Sequence, residues 1–310
     1  MNKKEKLLAV VGPTASGKTS LSIELAKAHN GEIISADSMQ IYKGMSIATA
    51  KPDADEIQGI PHYLIDFLDP DDTFSVSEYV NLADKAAKNI IARGNLPILC
   101  GGTGLYVRSF LENIQFSDEN NDPQLRKRLT ERYKNEGGEK LLEELKAFDP
   151  ETAAALLPSN SKRIIRAFEI YLLTGVTMSE SVKKSRSVPS PYDKTVIGIT
   201  YSDREKLYER INKRVDIMLE SGLIEETRSF YKRENSITAS AAIGYKELKP
   251  YLDGTLSLDE AIENLKRETR RYAKRQLTWF RRDKYIHWIE ADKVDSVFDE
   301  AEKIISKYLL

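Results

Sequence analysis

Residues 12–19 read Gly-Pro-Thr-Ala-Ser-Gly-Lys-Thr, and no other stretch constrains the fold as tightly. An apolar run, Leu7 to Val11, comes before them, and a helical pattern from Ser20 to Ala28 comes after. Strand, glycine loop and helix with the spacing G-x-x-x-x-G-K-[ST] make a phosphate cradle. Gly12 and Gly17 allow the tight turn, and Pro13, Thr14, Ala15 and Ser16 form the loop between them. The following helix points its positive dipole end at the same anion. Lys18 adds a point charge, and the Thr19 hydroxyl is placed to ligate Mg²⁺. The loop announces a diphosphate or triphosphate without saying what carries it.

A cradle of this kind belongs to a parallel α/β sheet, and the chain continues in that way. Further strands are expected at Glu32 to Ala36, Leu96 to Cys100, Thr195 to Thr200 and Tyr285 to Ile289, with a short one at Tyr63 to Phe67. Amphipathic helices are expected over Ser77 to Arg93, Arg204 to Ser221 and Asp295 to Leu309. Between Glu112 and Asp193 strand patterns vanish. Helical ones replace them at Gln124 to Glu136, Glu139 to Phe148, Glu151 to Leu157 and Lys162 to Thr174, followed by a basic linker over Lys183 to Pro191. The expected architecture is a P-loop NTPase-like parallel sheet flanked by helices, residues 1–115 and 194–310, with an all-helical domain inserted at 116–193.

Ligands gather at the carboxyl ends of parallel strands. Asp37 stands at such an end, expected to neighbour the phosphate loop, and a carboxylate beside phosphate calls for a reaction or a metal to explain it; capping of a following turn is the plainer alternative. After the third strand comes Gly101-Gly-Thr-Gly-Leu-Tyr106, where a hydrolytic NTPase would carry an acidic residue for Mg²⁺. Only glycine and Thr103 are there, which moves weight to Asp37. Arg210 and Arg214, one helical turn apart, can grip one phosphate group together, unless they are a surface pair with Glu209 and Asp216.

Net charge is −1 with 31% charged residues, so any nucleic-acid surface must come from local clustering. Lys266 to Lys284 holds nine cations against Glu268 and Asp283. Arg267, Arg271, Lys274 and Arg275 share a helical face, with Trp279, Phe280 and Arg281 following. Phosphate contact from the stripe and base stacking on an aromatic is an RNA-like footprint; a solvated charged helix is the alternative. Arg163 and Arg166, beside Lys162, are explained as well by solvation as by RNA. The single cysteine, Cys100, excludes an internal disulfide and a cysteine zinc site. Without a long apolar stretch or a secretory pattern in Met1 to Lys6, a cytoplasmic chain with no membrane partner is expected.

Taken together, these motifs resemble the bacterial tRNA dimethylallyltransferases, also called tRNA isopentenyltransferases. The resemblance rests on Gly12 to Thr19, Asp37-Ser38-Met39-Gln40 with Tyr42, Thr49 to Pro52, His62 to Asp66, Gly101 to Tyr106, Arg163 to Arg166, Ile243-Gly244-Tyr245-Lys246 and Lys274-Arg275-Gln276-Leu-Thr-Trp279, in the family's order over almost the whole chain. It implies dimethylallyl diphosphate as donor, Mg²⁺, and the N6 amine of the adenosine 3′ of the tRNA anticodon as acceptor. It implies Asp37 as general base, with Gln40 and Ser38 reading or seating a flipped adenine and Met39 beside them also meeting the tRNA. Thr103 would contact the substrate. The anticodon stem-loop would be held through Arg126, Lys162, Arg163, Arg166, Gly244, Tyr245, Lys246, Lys274, Arg275, Gln276, Trp279 and Arg281. A monomer is expected. Ser46, Ala48 and Tyr63 depart from residues common in the family, departures expected to leave the chemistry untouched. A P-loop small-molecule kinase, a non-catalytic RNA-binding ATPase and a prenyltransferase acting on free adenine nucleotides are the rival functions.

Overall fold

In the computed structural model, residues 4–116, 122–232 and 238–309 are described. The start of the basic N-terminus, Met1 to Lys3, lies outside them. Two compact units divide the chain, 1–111 with 191–310, and 112–190. The sequence-based boundaries fall within four residues of these.

The larger unit is built on six parallel strands: β1 Glu5–Val11, β2 Gly31–Ser35, β3 His62–Tyr63, β4 Leu96–Gly101, β5 Tyr192–Thr200 and β6 Ile286–Glu290, in the order β3-β2-β4-β1-β5-β6. Central β1 is apolar on both faces because both are covered. Leu7, Ala9 and Val11 point to one side, where the helices Val76–Ala92 and Gly104–Leu111 pack. Leu8 and Val10 point to the other, under Lys18–Ala28 and Val297–Tyr308. A period of two thus sorts one apolar run into two cores.

The expected strand at Tyr63 to Phe67 is instead the two residues of β3. β6 lies at one edge of the sheet. β1 and β2 are not neighbours, since β4 lies between them. A third core joins Ile41, Tyr42 and Met45 to Val215, Leu223, Tyr245, Leu248, Ala261 and Leu265, tying the loop after β2 to the helices of the C-terminal half.

The smaller unit has its own core of Leu125, Leu129, Leu141, Leu145, Ile164, Ile165, Ala167 and Phe168, from the helices Pro123–Glu136, Gly138–Phe148 and Ser161–Thr174. The predicted basic linker is in part helix: Thr177 caps Met178–Ser185, and Lys183 pairs with Glu151 at 2.5 Å. No helix among the described residues is long and apolar enough to cross a membrane.

Candidate active site

The loop 12–17 leaves β1 and enters the helix Lys18–Ala28 through Gly17, whose φ of 95° suits a residue without a Cβ. It is braced from outside by two side chains. Gln276 Oε1 accepts from Thr14 N at 2.8 Å while its Nε2 donates to Gly102 O at 3.0 Å. Arg210 Nε donates to Ala15 O at 2.9 Å. Gln276 is buried, and its amide makes this brace at the edge of the cavity that it also lines. Inside the loop Lys18 Nζ donates to Pro13 O at 3.2 Å, and the buried Ser16 hydroxyl has no partner among the described residues.

Beyond β2, Asp37 Oδ1 accepts from Met39 N at 2.9 Å and Gln40 N at 3.4 Å. The carboxylate therefore does cap a turn, and the same turn aims it into the site. Thr103 completes it: its hydroxyl accepts from Ser38 N at 3.0 Å and donates to Ser38 Oγ at 3.3 Å. The glycine turn between the two strand ends has a steric reason. A Cβ on Gly101 would lie 2.3 Å from Ala36 O, so no acidic side chain fits where a hydrolytic NTPase would carry one.

A cavity of about 320 Å³ opens between these parts. Thr14, Lys18, Thr19, Asp37, Ser38 and Arg214 form its polar side. Val215, Met218, Ile243, Leu265, Met39 and Ala48, all of the third core, form its apolar side. Tyr272, Thr269 and Arg275 line it from the long helix Leu258–Phe280. Burial pulls Lys18 below its ordinary lysine pKa, with Arg214 adding to the fall and Cys100 and Asp37 opposing it. Burial likewise lowers Arg214, against the attraction of Asp37. Two desolvated cations around one carboxylate leave the polar side short of negative charge, which is the electrostatic signature of an anion site.

The structure separates the paired arginines. Arg214 lines the cavity; Arg210 stays behind the loop, its guanidinium 5.7 Å from the Tyr201 ring centroid. The surface-pair alternative fails for Asp216, which pairs with Lys266 at 2.7 Å. Gln40 donates from Nε2 to Thr49 O at 3.2 Å and Ala50 O at 3.0 Å, so its side chain is tied to the following loop.

Several residues expected to meet RNA are placed otherwise. Tyr245 is fully buried, its hydroxyl donating to Glu226 Oε1 at 2.8 Å, and so is a core residue. Phe280 is buried in the sheet core and presents no ring for stacking, and the half-buried Trp279 indole packs over Gly104. Lys246, Arg267, Arg271, Lys274, Arg275 and Arg281 are exposed. In the smaller unit Lys162 and Arg163 are exposed, while Arg126 and Arg166 share buried Glu169 at 3.5 and 3.6 Å. Gly244 lies against Ala48 rather than at the surface.

Sequence reading missed Tyr272 and Thr269. Their signal is spacing: Thr269, Tyr272 and Gln276 recur at i, i+3 and i+7 on one helical face. Burial holds the Tyr272 phenol well above its ordinary pKa, and nearby Asp37 adds to this.

A sequence model described as IPP transferase matches residues 40–283. The chain belongs to this family. It is 51% identical to a tRNA dimethylallyltransferase of Acetivibrio thermocellus over 99% of this chain and 97% of that one. It is 49% identical to the Bacillus subtilis protein of the same name, over 93% and 92%. Among solved structures it resembles a full-length tRNA isopentenylpyrophosphate transferase of Bacillus halodurans, at TM-score 0.72 and 46% identity over 99% and 97% of the two chains. A eukaryotic dimethylallyltransferase acting on tRNA matches at TM-score 0.81 and 30% identity, over 98% of this chain and 79% of that one.

Proposed function

We propose that this chain transfers a dimethylallyl group from dimethylallyl diphosphate to N6 of the adenosine 3′ of the anticodon in tRNA, releasing diphosphate. The observation that carries this reading is one cavity in which two half-buried, desolvated cations at a phosphate loop face a carboxylate, with an apolar wall beside them. The diphosphate takes the cationic side. The five-carbon group takes the wall of Val215, Met218 and Leu265.

The bond from the allylic carbon to the diphosphate oxygen breaks, and that carbon forms its new bond to N6. Negative charge builds on the leaving diphosphate, where the loop amides, Lys18 and Arg214 are already oriented and desolvated, so they hold the transition state better than the ground state. The N6 proton passes to Asp37, whose Oδ2 takes no hydrogen bond among the described residues. Its other oxygen keeps the turn in place.

Mg²⁺ fits this donor set. Among the described residues no three His, Cys, Asp or Glu side chains gather as for an all-protein metal site, and magnesium is commonly held by few protein oxygens together with substrate phosphates. The Thr19 hydroxyl would hold it, and when bound it would supply further charge neutralisation at the diphosphate. The exposed cations of Leu258–Phe280 would position the stem-loop through its phosphates. Arg163 and Lys162 would do so from the helical unit. The chain would act as a monomer in the cytoplasm.

Incubation with unmodified tRNA, labelled dimethylallyl diphosphate and Mg²⁺ tests the reading. Label is expected in RNA. Absence of label there, together with phosphate transfer from ATP to a small molecule, would refute it.

A further inference from the structure

Glu226, in the helix Leu223–Phe230, does not line the cavity, yet it makes a dense set of bonds beside it. Oε2 accepts from Ser46 N at 2.9 Å and Ile47 N at 2.8 Å; Oε1 accepts from Ala48 N at 2.9 Å and from the Tyr245 hydroxyl at 2.8 Å. Three consecutive loop amides thus form an anion nest filled by the protein's own carboxylate. The loop so held is part of the site. Ala48 and Thr49 line the cavity, and Ala48 is packed against Gly244, where a Cβ would lie 3.2 Å from its own. The Thr49 and Ala50 carbonyls in turn anchor the Gln40 side chain, at the end of the turn that aims Asp37.

We propose that Glu226 is a positioning residue: by filling the nest at residues 46–48 it holds the loop as the cavity wall and, through Gln40, keeps the Asp37 turn in register. The inference rests on the transfer reading for its kinetic part only. A glutamine in this place keeps one acceptor oxygen but turns an N–H₂ toward an amide or hydroxyl donor, so part of the nest is left facing a donor. Displacement of a reacting group by about 1 Å is enough to lower a rate about a hundredfold.

Three measurements test it. Hydrogen exchange of the free protein needs no substrate: amides 46–48 should exchange at least about tenfold faster in E226Q than in the wild type. Unchanged exchange overturns the proposal whether or not the wild-type chain prenylates tRNA. In the transfer assay E226Q should lower kcat/KM about ten- to a hundredfold, mostly in kcat. Glu32→Gln is the comparator. Glu32 is buried at the start of β2, bonded to Arg93, Tyr63 and Asn95 at the end of the strand remote from the site. E32Q should lower Tm and leave kcat/KM within about twofold, so an equal loss of activity in both variants at equal loss of Tm would reduce Glu226 to general stability and overturn the inference. Gln40→Leu cuts the link without touching Glu226. It should also lower kcat, and E226Q with Q40L should be no slower than the worse single variant. Fully multiplicative effects, or an unchanged kcat in Q40L when E226Q fails to fold, would overturn it.

Discussion

Asp37→Asn isolates the proton acceptor from everything else the side chain does. The structural role of Asp37 is borne by Oδ1, which accepts from Met39 N and Gln40 N. Asparagine keeps that acceptor with the same shape, so the turn survives and only the charge is lost. The chemical consequence follows from the size of general-base catalysis, about 10²- to 10⁴-fold, or about 2.7–5.5 kcal/mol of barrier at 1.36 kcal/mol per decade. The electrostatic consequence runs the other way. Asp37 raises the pKa of Lys18 and of Arg214, and so attracts them both. With its charge gone these cations face the donor alone, and a repulsion between carboxylate and diphosphate disappears. KM for dimethylallyl diphosphate should therefore stay level or fall while kcat drops by two to four decades. The tRNA Kd should remain within a few fold. Single-turnover transfer at saturating donor, with tRNA binding measured separately, separates the two effects. A kcat within tenfold of wild type, or a loss of tRNA affinity as large as the loss of rate, would refute the base role.

The paired arginines should part company: Arg214→Ala should lower kcat about 10²- to 10³-fold, as removal of a charge-stabilising donor does, while Arg210→Ala should cost less because it touches only the back of the loop. Steady-state kinetics of both variants decides this, and equal losses would contradict it. Replacing Arg271, Lys274 and Arg275 by Ala should weaken tRNA binding and flatten the plot of log Kd against log salt by about 0.7–0.9 for each phosphate these cations neutralise; an unchanged slope removes that helix from the RNA surface. Acid should destabilise the fold through His62. Its Nδ1 is 2.8 Å from Ile60 O, its Nε2 is buried without a partner among the described residues, and burial lowers its pKa. A folded pKa below the unfolded value of about 6.5 gives stability that is complete above that pH and declines as the pH falls below it. Denaturant titrations between pH 7 and pH 5 should show a decline that His62→Phe reduces, and an identical decline in the variant would rule His62 out. Leu145→Ala should cost about 2–5 kcal/mol in the small core of the helical unit, read as loss of exchange protection in residues 123–174.

Local patterns determined a good deal by themselves. A glycine loop between an apolar run and a helix must be a phosphate cradle, because amide geometry and helix polarity are written in consecutive residues. Asp37 at a strand's end and the helical texture of 112–190 were legible for the same reason. The motif series, read in order, reached the family. Tertiary structure decided which side chains face the cavity and which stand behind it. Arg210 and Arg214 share a spacing, yet only Arg214 enters, since the first is drawn to Ala15 O. Gln276, Tyr245 and Phe280 lie in motifs that suggested contact with RNA and proved to be brace and core. Glu226 belongs to no motif; its importance arises only when a loop 180 residues earlier brings three amides to one carboxylate. Burial and long-range pairing depend on the whole chain being folded, so no window of sequence carries them.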